Sequence, residues 1–152
     1  MLKLRQLPGK AWLSLCCAAL LVGCSNNRPP TQQEDVCLIF AEKPEWHDAA
    51  EDARKRWGTP VFVPMAMMYQ ESSFRADARP PMRYFLGIIP YGRPSTAYGY
   101  AQVKDETWAD YQRETGNSWS NRDNFADAID FMGWYTAKTQ KVNGISKWDA
   151  YN

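Results

Sequence analysis

The feature that most limits the fold is an apolar stretch from Met65 to Tyr69, which follows a proline and leads into Glu71. Proline is favoured in the first turn of a helix, so the sequence predicts a helix from Pro64 to Ser72. Its side chains are hydrophobic on nearly every side until the last turn, and such a helix is stable only inside a core. The rest of the chain must therefore supply elements that surround it.

The surrounding sequence has the pattern of short helices joined by polar turns. Apolar residues of the segment before Gly58 recur at intervals of three and four, which is the helical period. Residues 79–96 contain four prolines and are predicted to form a long irregular loop, which could include a brief strand at Tyr84–Ile89. The predicted fold class is mainly α, a small helical domain with helices at Val36–Glu42, Pro44–Trp57, Lys104–Thr115 and Arg122–Val142.

The N-terminus has the pattern of an export signal. Three basic residues precede Ala11–Val22, an apolar run too short to span a bilayer permanently. The run ends in Gly23-Cys24, which resembles a bacterial lipoprotein signal; the alternative is an ordinary buried helix that contains a cysteine. We expect a signal peptide at 1–23, lipidation of Cys24, a flexible tether at 24–35 and a domain at 36–152. Ser25 resembles the outer-membrane sorting pattern, so we expect anchoring there, facing the periplasm.

Charge and composition exclude several classes of function. With 18 basic and 17 acidic side chains the formal net charge is +1, which provides no basic field for nucleic acid. His47 is the single histidine, so a histidine-rich metal site is not expected, and we predict no metal and no organic cofactor. We expect Cys37 to be a small buried residue, and we expect a monomer whose contact with a membrane is through the lipid alone.

Glu71 is the residue with the most chemical information. Met67 and Met68 lie one turn before it and should exclude water from that face. Burial and the negative end of a helix both favour the protonated form of a carboxyl group, which can donate a proton to a leaving oxygen. The alternative is a glutamate whose carboxylate reaches solvent at the end of a helix.

Four short motifs follow one another in the order found in one enzyme family. Glu71-Ser72-Ser73-Phe74, Ser95-Thr96-Ala97, Tyr98–Val103 and Ala150-Tyr151-Asn152 resemble motifs of the soluble lytic transglycosylases, which are related to goose-type lysozyme. The resemblance implies a lysozyme-like fold, with Glu71 as the catalytic acid. It also implies that Ser95, Gln102, Tyr151 and Asn152 bind sugar substituents of a peptidoglycan strand.

That family cleaves the β-1,4 bond between N-acetylmuramic acid and N-acetylglucosamine and forms a 1,6-anhydromuramic acid end. One carboxyl group suffices, because the substrate supplies the nucleophile, whereas ordinary glycosidases need two. The alternatives are a lysozyme-type hydrolase with a second acid and a non-catalytic lipoprotein that binds the wall.

Three departures separate the chain from the family pattern. Tyr100-Ala101 replaces Leu-Met, and the interval from Glu71 to Gly99 is about a dozen residues longer than is usual in the family. The extra residues fall in the 79–96 loop, which could be a lid, a sugar-stacking edge or only a plug. The sequence ends at Asn152, inside the last motif, so we expect that it is truncated.

Overall fold

The computed structural model describes residues 27–142, and within that range the chain is mainly helical. The prediction of fold class is confirmed. Cys24, Tyr151 and Asn152 lie outside the described residues, as does the predicted signal peptide. The elements of the described part are α1 (Val36–Glu42), α2 (Pro44–Trp57), α3 (Phe62–Ser72), β1 (Arg83–Phe85), β2 (Ile89–Gly92), α4 (Asp105–Thr115) and α5 (Phe125–Val142).

The ends of α2 follow from its sequence. Pro44 occupies the first turn, where its missing N–H costs no hydrogen bond. At the other end Gly58 adopts a left-handed conformation (φ 75°), and its N–H donates to the Arg54 carbonyl oxygen at 2.8 Å. Both bounds agree with the prediction. By contrast, α3 begins at Phe62, two residues before the predicted start, because Pro64 is equally tolerated in the third position of a helix.

The core is formed mainly where α2 packs along α5. Trp46 of α2 stacks on Phe125 of α5 with ring centroids 3.8 Å apart. Further along, Gly133 allows close approach, since a Cβ atom there would lie 2.6 Å from Cδ1 of Trp57. Asp130 of α5 accepts hydrogen bonds from the Trp57 indole at 2.7 Å and from the Tyr111 hydroxyl at 2.7 Å. This carboxylate therefore links α2, α4 and α5.

The 79–96 loop contains a hairpin rather than one strand. β1 and β2 pair antiparallel, with Tyr84 opposite Pro90 and Phe85 opposite Ile89. The predicted strand at 84–89 is thus wrong in its extent, because its middle forms the turn between two strands. Every residue from Pro81 to Tyr91 is exposed.

Part of the predicted tether contacts the helical domain. The Asp35 carboxylate accepts from the Cys37 N–H at 2.8 Å and so caps α1. The Thr31 hydroxyl donates to Glu42 at 2.7 Å, and the Tyr69 hydroxyl of α3 donates to Glu34 at 3.3 Å. Within 27–35 the chain therefore makes specific contacts.

Cys37 is exposed, so the prediction that it is buried is wrong. It lies in the first turn of the short helix α1, in which Ile39 is the buried residue. Between residues 27 and 142, none of the helices combines the length and the apolar character that crossing a membrane requires.

Candidate functional site

Glu71 lies in the last turn of α3, and its side chain is exposed. The expected exclusion of water from this residue is not observed: Met68 is fully buried, but it faces the core. Ser72 ends the helix, and its hydroxyl donates to the Met68 carbonyl oxygen at 3.1 Å. Glu71 is therefore attached to a firmly packed helix while its carboxylate is open to solvent.

The chain reverses direction directly after Glu71. Ser73 (φ 50°) and Phe74 (φ 55°) are both left-handed, although neither is glycine. Such conformations cost about 1–2 kcal/mol each, so other interactions must hold them. Phe74 supplies one, because its side chain is 1% exposed and packs against Trp46 with centroids 5.8 Å apart. The turn thus fixes the backbone that carries the glutamate.

Gln102 is hydrogen-bonded to the segment that follows this turn, at the carbonyl group of Ala78. The Ala78 carbonyl oxygen accepts from the Gln102 side-chain amide at 2.8 Å and from the Gly99 N–H at 3.0 Å. The same amide nitrogen donates to the Gly99 carbonyl oxygen at 3.0 Å. Both amide hydrogens of Gln102 therefore have partners in the protein, and its carbonyl oxygen is left as the atom suited to accept from a ligand.

Gly99 lies where two backbone segments meet. It has φ 77°, and a Cβ atom on it would lie 2.0 Å from the Arg122 carbonyl oxygen. That oxygen accepts from the Tyr100 N–H at 3.2 Å. Tyr98 and Val103 form an isolated antiparallel bridge around the same turn. Only glycine allows this close approach, which holds the 98–103 turn against the residues that precede α5.

The side chain of Arg122 completes the support of this turn, a role the sequence did not suggest. Its guanidinium donates to the Val103 and Thr96 carbonyl oxygens at 3.0 and 3.1 Å. It also lies 2.7 Å from the Asp105 carboxylate. An arginine between two polar turns has no local pattern that reveals tertiary partners, so no signal in the sequence could have found it.

Tyr100, which replaces a leucine of the family pattern, points into the core. It is 1% exposed and meets the Trp46 and Phe125 rings edge-on, at 5.6 and 5.7 Å. Burial raises the pKa of the Tyr100 hydroxyl to about 12. Ala101 is buried as well. These two residues therefore contribute volume to the core rather than a wall to an open site.

Tyr98 connects the turn to an acidic side chain. Its hydroxyl donates to Asp123 at 3.0 Å, and the Arg79 guanidinium lies over its ring at 4.0 Å. Burial, followed by the hydrogen bond to Asp123, raises the pKa of the Tyr98 hydroxyl. With Asp77, Tyr98 and Asp123 line a cavity of about 380 Å³. This recess borders the segment that follows Glu71 and carries two carboxylates and a phenol among its lining residues.

The remaining predicted residues are not all brought together. The Ser95 hydroxyl accepts from the Ala97 N–H at 3.1 Å, which makes it part of a local turn. Within residues 27–142 no hydrogen bond joins Glu71, Ser95 and Gln102 directly, and Gln102 reaches the Glu71 turn only through Ala78. No cluster of three or more metal-ligating side chains is found in that range. The absence of a metal or cofactor in the function stays a prediction.

Comparison with known proteins identifies one family. The model of the transglycosylase SLT domain matches residues 12–152, which is nearly the whole chain. Searches of curated proteins and of solved structures find no match.

Proposed function

Because the chain belongs to the transglycosylase SLT domain family, we propose that it cleaves the β-1,4 bond between N-acetylmuramic acid and N-acetylglucosamine in peptidoglycan. Membership of this family supports a function as a peptidoglycan enzyme of the lytic transglycosylase type. The proposal adds the product, a 1,6-anhydromuramic acid end, and the catalytic group, Glu71.

The Ala78 carbonyl group is the observation that carries the assignment of residues. It is held by Gly99 and by the side chain of Gln102, six residues after Ser72 ends α3. Glu71 lies at the exposed end of α3, and the segment that follows it is hydrogen-bonded at Ala78 to the side chain of Gln102. The carbonyl oxygen of that side chain remains available to a ligand. This arrangement supports a substrate site in which Glu71 meets the reacting bond and Gln102 holds a neighbouring substituent.

In the proposed reaction Glu71 first acts as a general acid. Its carboxyl proton passes to the glycosidic oxygen, and the bond from that oxygen to the anomeric carbon of muramic acid breaks. The N-acetyl carbonyl oxygen of the same sugar attacks that carbon and forms a cyclic oxazolinium ion. N-acetylglucosamine leaves with the proton on its 4-hydroxyl group.

The second step regenerates the acid. The Glu71 carboxylate removes the proton from the muramic acid 6-hydroxyl, and O6 attacks the anomeric carbon. The bond to the N-acetyl oxygen breaks, which restores the acetamido group and closes the 1,6-anhydro ring. No water is consumed, so a single carboxyl group is sufficient. Since Glu71 is exposed in the free protein, the bound glycan itself would have to exclude water from it.

The other predicted residues take supporting roles in this proposal. The Gln102 carbonyl oxygen would accept from a sugar hydroxyl or N–H group. The Ser95 hydroxyl accepts from Ala97 and keeps its own O–H, which would donate to a sugar oxygen. Tyr151 and Asn152 would hold the N-acetyl group or orient Glu71, as the family motif implies.

Mass spectrometry of products from purified peptidoglycan tests the reaction. The full chain should release muropeptides that end in 1,6-anhydromuramic acid, and Glu71→Gln should slow this release by about 10²–10⁴-fold. Glu106→Gln is the matched control, because Glu106 is also an exposed glutamate on a helix, in the first turn of α4. It should retain full activity.

Two other outcomes would contradict the proposal in different ways. Reducing-end products would mean that water is the nucleophile, and a second acid would then be required, as in a lysozyme-type hydrolase. No product from a folded chain that still binds the wall would identify a non-catalytic wall-binding lipoprotein.

We also propose that Cys24 is lipidated and anchors the protein in the outer membrane, facing the periplasm. The basic residues, the apolar run and Gly23-Cys24 support this placement. The mass of the N-terminal peptide from a membrane fraction tests it. An acylated Cys24 that is absent from Cys24→Ser is expected, whereas an intact Met1 would contradict the proposal.

A further inference from the structure

The β1–β2 hairpin exposes an apolar surface that none of residues 27–142 covers. Leu86 and Ile88 at its tip are each 77% exposed, and Phe85 and Ile89 behind them are more than half exposed. Two-stranded hairpins are marginally stable in water, and a chain rarely places a contiguous apolar tip in solvent without a partner.

The residues of the hairpin are ordered by polarity along its length. Aliphatic side chains occupy the tip, and Tyr84 and Phe85 occupy paired positions behind it. Tyr91 lies on the opposite strand as the unpaired residue of a bulge, between Pro90 and Gly92. The base carries Arg83 opposite Gly92, followed by Arg93, which donates to the Pro80 carbonyl oxygen. This order reproduces the depth profile of a bilayer surface, where aliphatic groups lie deepest, aromatic rings lie among the headgroups and cations lie at the phosphates.

Charge around the hairpin has one sign. Residues 78–104 contain four basic side chains, at positions 79, 83, 93 and 104, and no acidic side chain. The chain as a whole has almost equal numbers of both signs, so this segment departs sharply from the average. Arg83 and Arg93, at the base of the hairpin, are both exposed and are complementary to anionic headgroups.

The turn itself is built with an unfavourable residue. Leu86 (φ 53°) and Gly87 (φ 75°) are both left-handed, a pair of conformations that Asn-Gly satisfies best. A leucine is strained in that conformation, because its Cβ atom crowds the following carbonyl oxygen. Its exposed side chain makes no compensating contact with the core, which is consistent with a role outside the folded domain.

We infer that the β1–β2 hairpin inserts its tip into the surface of an anionic phospholipid bilayer. The contact is separate from the proposed reaction and from the proposed lipid on Cys24, and it departs from the expectation that the lipid alone meets the membrane. It would hold the domain close to the membrane with the arginines at the level of the phosphates. Its failure would leave the enzymatic proposal untouched, since that proposal is tested on released muropeptides.

A dye at the tip tests the insertion locally. In the full chain with all four cysteines replaced by serine, Leu86→Cys is labelled with nitrobenzoxadiazole, and Lys55→Cys on α2 is labelled as the matched control. Addition of phosphatidylethanolamine–phosphatidylglycerol vesicles should shift the emission of the dye at position 86 to the blue and expose it to a lipid-phase quencher. The control dye should remain in water, even if the N-terminal apolar run binds the vesicle.

Two variants measure which groups supply the affinity. Leu86→Asn removes the tip side chain but suits the turn, so it should keep the fold and weaken vesicle binding about 30-fold. Arg83→Gln should weaken binding to anionic vesicles about fivefold and leave binding to phosphatidylcholine vesicles unchanged. Lys141→Gln removes an exposed charge from α5 and should change neither value by more than about twofold.

Four results would overturn the inference. The dye at position 86 could stay in water with every vesicle, or both dyes could shift equally. It could instead respond to purified peptidoglycan, which would make the hairpin a sugar-stacking edge. A shift that depends on protein concentration without lipid would assign the tip to a contact between copies of the chain.

Discussion

The α2–α5 pair and the segment from Ser73 to Val103 are stabilised in different ways. The helix pair is held by large buried side chains and by one shared carboxylate, Asp130. The turns of the segment are held by backbone hydrogen bonds, by the buried rings of Phe74 and Tyr100 and by the guanidinium of Arg122. In the helix pair a side chain can shift to accommodate a substitution. In the segment the close contacts are between backbone atoms, which cannot shift without moving the chain. Of the predicted site residues, Ser95 and Gln102 lie in the second region and Glu71 directly precedes it, so we expect this part of the site to tolerate substitution poorly.

The same substitution in both regions should separate them most clearly. Gly99→Ala places a methyl group 2.0 Å from the Arg122 carbonyl oxygen, with φ at 77°, and should lower the free energy of unfolding by about 4 kcal/mol. Gly133→Ala meets the Trp57 side chain at 2.6 Å. A side chain can move and alanine favours a helix, so about 1–2 kcal/mol is expected.

Urea unfolding of both variants, followed by circular dichroism, gives the comparison. Equal midpoints for the two variants, or a smaller effect at Gly99, would mean that the backbone of the 98–103 turn can rearrange. The idea that this turn is the less tolerant region would then be wrong.

Asp130→Ala tests how far the helix pair depends on one group. The indole N–H of Trp57 and the hydroxyl of Tyr111 would both lose their acceptor, and Arg56 would lose its ion partner at 3.0 Å. Because the first two donors are shielded from solvent, we expect a loss of about 3 kcal/mol. Asp52→Ala is the control, since the Asp52 side chain is 78% exposed and should cost less than about 0.5 kcal/mol. A similarly small loss for Asp130→Ala would show that water replaces the carboxylate.

These two regions also differ in what the sequence reveals. Spacing of apolar residues and the prolines and glycines at helix ends predicted the bounds of α2 correctly and those of α4 closely, because these signals are local. The partners of Ala78, Gly99 and Arg122 are contacts between segments far apart in the chain, and no local pattern encodes them. Motif resemblance identified Gln102, but not that its amide hydrogens are used within the protein. Of the two settings that the sequence left open for Glu71, the exposed one is observed, because hydrophobic neighbours along a helix do not determine which face turns to solvent.

Alkaline pH should lower the free energy of unfolding through two buried tyrosines. Tyr100 lies in the segment, and Tyr111 is hydrogen-bonded to Asp130 of the helix pair. The pKa of Tyr100 is raised by burial from 10 to about 12, so its share of stability is complete below pH 10 and is lost as the pH rises towards 12. Burial, and then the hydrogen bond to Asp130, raises the pKa of Tyr111 in the same direction. Between pH 10 and about 12, the ionisation of Tyr100 should lower the free energy of unfolding by about 1.4 kcal/mol per pH unit.

Urea midpoints measured at several alkaline pH values test this assignment. Tyr100→Phe should make the fall in stability shallower, and so should Tyr111→Phe. Tyr84→Phe, on the exposed hairpin, should leave the slope unchanged. If Tyr100→Phe has the same pH profile as the original chain, folding does not raise the pKa of Tyr100.

The smallest effect on stability is expected where the domain has least contact with its own residues. Leu86 is 77% exposed and left-handed, so Leu86→Asn removes no buried surface and relieves an unfavourable conformation. The free energy of unfolding should stay constant or rise by up to about 1 kcal/mol. A loss of more than about 1 kcal/mol, measured by the same urea titration, would mean that the hairpin tip packs on the domain. A rise in the free energy of unfolding, together with weaker binding to vesicles, would mean that Leu86 destabilises the folded domain and contributes to a contact with the membrane.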